Sequence, residues 1–315
     1  MALILLFIFT FPLPAIAKDP ELPVPDKKWS TQFHVKRFWK SHTSYEFGNP
    51  FPPRQAPLSR LEFPINTWWI GGEVRRNFSR FSAGLEALAA IPMDSADNVM
   101  RDSDWDDETQ PSVRTIYSES QCRMDQSYML RAEVDMKVGD WMKIPDWLDI
   151  RPVAGVRWQR FMLMVHDGYQ TEIQGNDMPL PGDSIRFFQT YSQFFCGIKV
   201  AWNVQKLFKS LPLKFQSQLD WAYVDADNSD HHLLRTGNRW TYEKTTGDAW
   251  HFSTGFQAAL TQNISAGLEW EHLRLRSTGT HRLSNDFFGI NFSFDNGVEV
   301  WSDQTSIMMK LEYLF

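Results

Sequence analysis

Apolar and polar residues alternate one by one along much of this chain. At its end, Ile307, Met309, Leu311, Tyr313 and Phe315 interleave with Met308, Lys310, Glu312 and Leu314. Leu213, Phe215, Leu219, Trp221 and Tyr223 interleave with Lys214, Gln216, Gln218, Asp220 and Ala222. The same rhythm runs from Trp250 to Leu260 and from Phe81 to Ala89, and is weaker near Val156. A period of two places successive side chains on opposite faces of a strand, so the chain is predicted to be all-β. The runs give about ten strands, near 31–48, 58–70, 74–92, 113–138, 149–165, 188–203, 212–226, 239–260, 264–278 and 298–315. Short turns are expected near Gly71-Gly72, Asp146 to Leu148, Phe208 to Leu211 and Thr261 to Asn263. Longer loops are expected at 49–57, 93–112, 166–187, 227–238 and 279–297.

Alternation alone fits a β-sandwich, which buries its apolar face on a second sheet. It also fits a barrel, which turns that face to lipid. Composition favours the barrel. Phe, Trp and Tyr make up 15% of the chain, with 14 Trp, yet mean hydropathy is only −0.39. Aromatic girdles around a polar lumen have that signature. The terminal Phe315 resembles the signal read by barrel-insertion machinery. The reading is therefore an antiparallel transmembrane β-barrel of about ten strands.

The first residues agree. Ala2 to Ile16 is apolar, broken by Pro12 and Pro14, and ends in Ala15-Ile16-Ala17 ahead of Lys18-Asp19. That run is short of the ~20 residues a spanning helix needs and reads as a signal peptide over 1–17. Residues 18–315 are then the barrel of a bacterial outer membrane. The formal charge of −6 argues against a nucleic-acid partner. For Cys122 and Cys196, one bridge and two free thiols stay equally open.

Two acidic clusters fall at the same expected rim. One is Asp102-Ser103-Asp104-Trp105-Asp106-Asp107-Glu108; the other is Asp225, Asp227-Asn228-Ser229-Asp230-His231-His232. Asp230 and His232, two apart on an extended chain, point to one side. The carboxylate is expected to orient the imidazole and favour its protonated form. The imidazole can take a proton from water that Asp102 and Asp104 hold. No nucleophilic Ser or Cys is needed. A metal site is disfavoured, because the Asp spacing lacks the Gly turn and terminal Glu of a calcium loop.

At these residues the sequence resembles the omptins, ten-stranded outer-membrane endopeptidases with a signal peptide. Asp102-Ser103-Asp104-Trp105 is similar to their Asp-x-Asp-Trp motif, and Asp230-His231-His232 to their Asp-x-His motif. Arg239-Trp240-Thr241-Tyr242 resembles the strand that follows. The resemblance implies that Asp102, Asp104, Asp230 and His232 are catalytic. It implies that Glu46 and Asp227 bind a basic side chain before the scissile bond. It also matches Arg160 to one member of a lipopolysaccharide site, though Thr190 and Trp158 depart from that site's pattern. Ser229 is inserted relative to the family pattern; without a gap, Ser229 and His231 would take the catalytic positions. No clear match near Ser118 supplies the acid of the pocket beyond the bond.

The expected function is an endopeptidase cutting after basic residues with an Asp/His-activated water and no cofactor beyond lipopolysaccharide. Its expected partners are membrane lipid and basic peptides or proteins, and it acts as a monomer. The alternative is a non-enzymatic barrel of the same fold, a small porin or adhesin. A branch resembling the Protochlamydia outer membrane protein family fits that description. Its lumen would be lined by Lys214, Gln216, Asp220, Glu269 and Glu271.

Overall fold

The computed structural model describes residues 28–315 except 50, 53, 95 and 209–211. The expected signal peptide, 1–17, lies outside the described residues. The strands are β1 (Trp29–Phe38), β2 (His42–Phe47), β3 (Ser59–Pro64), β4 (Trp68–Asn77), β5 (Phe81–Ala90), β6 (Val99–Asp104), β7 (Ile116–Met124) and β8 (Tyr128–Met136). Six longer strands follow: β9 (Leu148–Glu172), β10 (Met178–Asn203), β11 (Leu213–His232), β12 (Arg239–Ala259), β13 (Ile264–Asn285) and β14 (Ile290–Leu314). The helices are single turns, α1 (Gly139–Met142) and α2 (Val204–Leu207).

All pairings are antiparallel, and β1 closes onto β14. The lower ring runs β1-β4-β5-β8-β9-β10-β11-β12-β13-β14. Higher up, β2, β3, β6 and β7 replace β1, β4, β5 and β8 between β14 and β9. The first four staves are thus interrupted and the barrel has ten. Closure leaves no open edge, which a sheet in lipid requires.

Leu85, Leu130, Val134, Ile198, Leu219 and Met309 stand exposed on the outer face. Trp68, Tyr128, Tyr223, Trp250 and Trp270 are exposed above them, and Trp29, Phe78, Phe81, Tyr313 and Phe315 below. An apolar belt between two aromatic girdles is the surface of a barrel in a bilayer. A spanning strand needs about 9–11 residues. β9, β10, β13 and β14 have 25, 26, 22 and 25. About half or more of each is left over once the membrane is crossed.

That length corrects the expected loops. Residues 99–104, 178–187, 227–232 and 279–285 are strand. Above the membrane water meets the outer face and polar side chains line the inner one, so both sides are polar and the alternation that marks a strand disappears. The turn expected at Gly71-Gly72 is also absent. Both glycines lie within β4, paired with Leu88 and Ala87, and an added Cβ would meet the Ala87 carbonyl or the Gln32 carbonyl. The chain turns instead at 78–80, where Phe78 N–H donates to Phe81 O at 2.7 Å.

The lumen at membrane level is filled. Lys36 pairs with Glu271, Arg131 with Glu86 at 3.3 Å, and Arg157 and His251 with Asp220 at 3.3 and 2.7 Å. Gln159 bonds Gln304 at 2.9 Å and Gln193 at 3.2 Å. The gap left beside Lys36, Glu86, Arg131 and Glu271 is about 30 Å³, room for about one water. Above it an aromatic floor closes the barrel. Phe63 stacks on Phe187 with centroids 3.9 Å apart, and Tyr45 on Phe187 at 6.0 Å. Cys122 is buried on β7 and Cys196 is exposed on β10; both thiols are free.

Candidate active site at the outer mouth

The inner faces of β11, β12 and β13 stack three layers of mostly polar residues above the aromatic floor. Cross-strand register sets them: His232, Arg239 and Asn285; then Asp230, Thr241 and Leu283; then Asn228, Glu243 and His281. Even residues of β11 and odd residues of β12 face inward, as the buried Ala226, Asn228, Asp230, Thr241, Glu243 and Thr245 show. Ser229 and His231 therefore face outward. His231 stacks on Trp240 there, with centroids 4.1 Å apart. The insertion at Ser229 is absorbed by the strand, and Asp230 and His232 are the pair that reach the mouth.

Asp102 and Asp104 enter from β6, four staves around the ring from β11. They share the inward face of Met100, which is 1% exposed. Asp104 is opposite Ser59 and Asp102 opposite Leu61; the Ser59 hydroxyl bonds to Asp104. Asp102 is half-buried, and its Oδ1 is enclosed without a hydrogen-bond partner. Burial, helped by Asp104 and Asp230, pushes the Asp102 carboxyl well above its usual range. Burial raises Asp104 as well. No three of Asp102, Asp104, Asp230 and His232 bring one ligand atom each within 4.8 Å of one another. The charge of Asp230 reaches Asp102, so the two pairs share one mouth.

On β11, Asp230 is fully buried and its Oδ1 lies 3.1 Å from His232 Nε2, outside hydrogen-bond alignment. The other oxygen, Oδ2, accepts from the Tyr45 hydroxyl at 2.6 Å, and that hydroxyl lies 3.3 Å from Thr241 Oγ1. Tyr45 comes from β2, across the barrel. Burial lowers the His232 pKa, outweighing the pull of Asp230, with Arg239, Arg235 and His231 adding to the drop. The expectation of a protonated imidazole is corrected: desolvation wins, and His232 rests neutral, ready to accept a proton.

The third layer was not visible in the sequence motifs. Glu243, 2% exposed, accepts from Asn228 Nδ2 at 2.7 Å and contacts His281 Nδ1 at 2.6 Å. Burial and Asp230 push Glu243 up, and burial with Arg239 pushes His281 down to about 4. Burial thus favours the uncharged form of each partner in this contact. Phe47 stacks on that imidazole at 4.2 Å.

Glu46 and Asp227 do not join this site. Each neighbours an inward residue, Tyr45 or Asn228, and so points the other way. Glu46 pairs on the outside with Arg60, Oε2 lying 2.6 Å from Nη2. Asp227 is exposed between Thr190 and Lys244. It lines an outer-face concavity of about 620 Å³ with Arg160, Lys244, Tyr242, Trp240 and Arg282. Arg160 is in this row, opposite Thr190 and Tyr128.

The fold, a ten-stave barrel with paired acids at its outer mouth, is that of a class of outer-membrane barrels. The sequence model of the omptin family matches residues 54–307, and the chain belongs to that family. It is similar in fold to the outer membrane protease OmpT from Escherichia coli. The TM-score is 0.80 over 93% of this chain and 98% of that one, at 13% identity. The outer membrane protein OprG from Pseudomonas aeruginosa is 9% identical over 94% of this chain and 98% of that one, with a TM-score of 0.38. The translocator domain of the autotransporter NalP from Neisseria meningitidis is 8% identical over 91% and 88%, with a TM-score of 0.37. No curated protein sequence matches the chain.

Proposed function

We propose that this outer-membrane protein is an endopeptidase that uses an activated water. Its single strongest support is the opposition of Asp102 and Asp104 on one wall to a neutral His232, backed by Asp230, on the other. Water held by the β6 aspartates gives a proton to His232, and the oxygen attacks the scissile carbonyl carbon. The tetrahedral intermediate then breaks its C–N bond, and His232 returns the proton to the leaving amine. A thiol nucleophile is not available at this mouth: Cys122 is buried, with its thiol pushed up by that burial.

Glu46 and Asp227 were the acids expected to select a basic residue, and they face outward. Peptide hydrolysis is proposed without a preference for basic residues. The porin alternative meets a lumen filled by ion pairs and capped by Phe63, Phe187 and Tyr45.

The test is cleavage of a mixed peptide library by the refolded barrel. Asp102→Asn and His232→Gln should each abolish cleavage while the folded barrel keeps its heat-modifiable migration. Equal cleavage by all three proteins would remove the site. Steady ionic conductance in planar bilayers without cleavage would favour the pore.

The outer concavity is proposed to hold lipopolysaccharide. Arg160, Lys244 and Arg282 offer cations for its phosphates just above the girdle that contains Tyr128. Arg160→Ala with Lys244→Ala should reduce lipopolysaccharide binding; unaltered binding would move the contact elsewhere.

A further inference from the structure

A barrel wall poses a problem for peptide hydrolysis. The tetrahedral intermediate carries a negative oxygen, and hydrolases commonly meet it with free backbone N–H groups. In a closed sheet those groups are committed to the ladder. The walls at the mouth are such ladders, β6 between β3 and β7, and β11 between β10 and β12. A donor well suited to the task is then a side chain that faces the mouth, carries positive charge and is not already paired.

Arg239 meets all three conditions. It follows the inward parity of Thr241 and Glu243 on β12, and it lies directly opposite His232 in register. Directly opposed residues on one face have Cβ atoms about 4.5–5.5 Å apart. Its Nε is buried and has no hydrogen-bond partner. Among the described residues no carboxylate lies within ion-pair distance of its guanidinium, while Arg60, Arg75, Arg131, Arg151 and Arg157 all have one. Its charge nevertheless acts on Asp102 and Asp104 from one wall and on His232 and His281 from the other. A guanidinium with spare donors thus sits in the field of both halves of the site. Arg235 acts on Asp102, Asp104 and His232 but not on His281, and it is exposed, in the turn between β11 and β12.

We infer that Arg239 is the oxyanion-stabilising residue of this site, donating N–H to the carbonyl oxygen as the hydroxide adds. This assignment rests on the endopeptidase reading above. A side chain that instead held an acidic substrate residue would bind ground and transition states alike. One facing the developing oxyanion acts mainly on the transition state.

The experiment uses the refolded full barrel and a peptide it cleaves. Removing one such donor costs about 10²–10³ in kcat in other hydrolases. Arg239→Gln should lower kcat by about that factor with KM changed less than about threefold, and Arg239→Lys should recover part of the loss. Calorimetry supplies a readout without turnover. A phosphinate analogue of the peptide, which mimics the tetrahedral centre, should lose affinity in Arg239→Gln. The same peptide N-methylated at the scissile amide should bind both proteins equally. Heat-modifiable migration checks folding, and Arg239→Lys alone carries both measurements if the Gln variant does not fold. Unchanged kcat, or a rise in KM alone, would overturn the assignment and leave the peptidase standing. No cleavage by the unaltered chain would overturn both.

Discussion

The Tyr45 hydroxyl spans the barrel from β2 to β11 and donates to Asp230 Oδ2 at 2.6 Å. Asp230 has no exposure to water, so this bond and Thr241 beside it decide where the carboxylate can stand. Tyr45 acts on chemistry through Asp230 and His232, as a positioning residue. Tyr45→Phe keeps the ring in the Phe63 and Phe187 stack and deletes one donor. It should lower kcat about tenfold with little change in KM. It should also cost about 1–3 kcal/mol of stability, the penalty for leaving a buried acceptor unpaired. Steady-state kinetics and denaturant unfolding check the two parts; an unaltered kcat would make Tyr45 purely structural.

The acid limb of the pH–rate profile should report on the β6 aspartates. Asp102 is raised by burial and by Asp104. Asp104→Asn removes that neighbouring charge, so the Asp102 carboxyl should ionise at lower pH. Residual activity should then persist to more acid pH than in the unaltered chain, although its ceiling is lower. An acid limb that stays in place would assign it to His232 instead.

Stability should fall on acidification through His281. Its folded pKa is pushed down to about 4 by burial and by Arg239, against about 6.5 in an unfolded chain. Between those values the unfolded state binds more protons than the folded one. Stability therefore drops as pH falls through the window from about 6.5 to 4. Glu243, in contact with His281, is shifted the opposite way, so its own contribution gains stability as pH falls and offsets part of this loss; the share of His281 is read as the difference between variant and unaltered chain. His281→Gln should flatten the decline in unfolding midpoint between pH 6.5 and 5. An equal slope in that variant would place the sensitivity elsewhere.

Alternation in the membrane-spanning half made the barrel legible. Leu213 to Tyr223 alternate because lipid lies on one side and a polar lumen on the other. From Asp225 to His231 water meets the outer face and polar groups line the inner one, so the strand reads as a loop. The four motif residues Asp102, Asp104, Asp230 and His232 were legible by spacing, and the strands bring them to one mouth. Glu46 and Asp227 were misplaced by one position, which on a strand is a change of face. Counting by twos from Asp230 gives Asn228 as the inward residue. Arg239, Thr241 and Glu243 also alternate visibly with Trp240 and Tyr242. Which of those faced Asp230 was set by the hairpin register, and Tyr45 by the barrel's closure; neither is local in sequence.

The ion pairs in the lumen should be costly to halve. Lys36→Met leaves Glu271 buried at membrane level without its partner. Losing one member of a buried pair costs about 3–5 kcal/mol. The double change with Glu271→Met should recover much of that loss. Urea unfolding in detergent checks both; a single variant as stable as the unaltered chain would mean that Glu271 finds another cation.

The aromatic floor and the packed lumen beneath it divide one tube into two chambers. The outer chamber holds the acids, His232 and Arg239. The inner opens toward the periplasm as a vestibule of about 710 Å³ lined by residues such as Arg75, Lys214 and Glu312. With the proposed hydrolysis confined to the outer chamber, the barrel is expected to add surface chemistry without adding a leak, so its abundance could rise without eroding the permeability barrier it is embedded in.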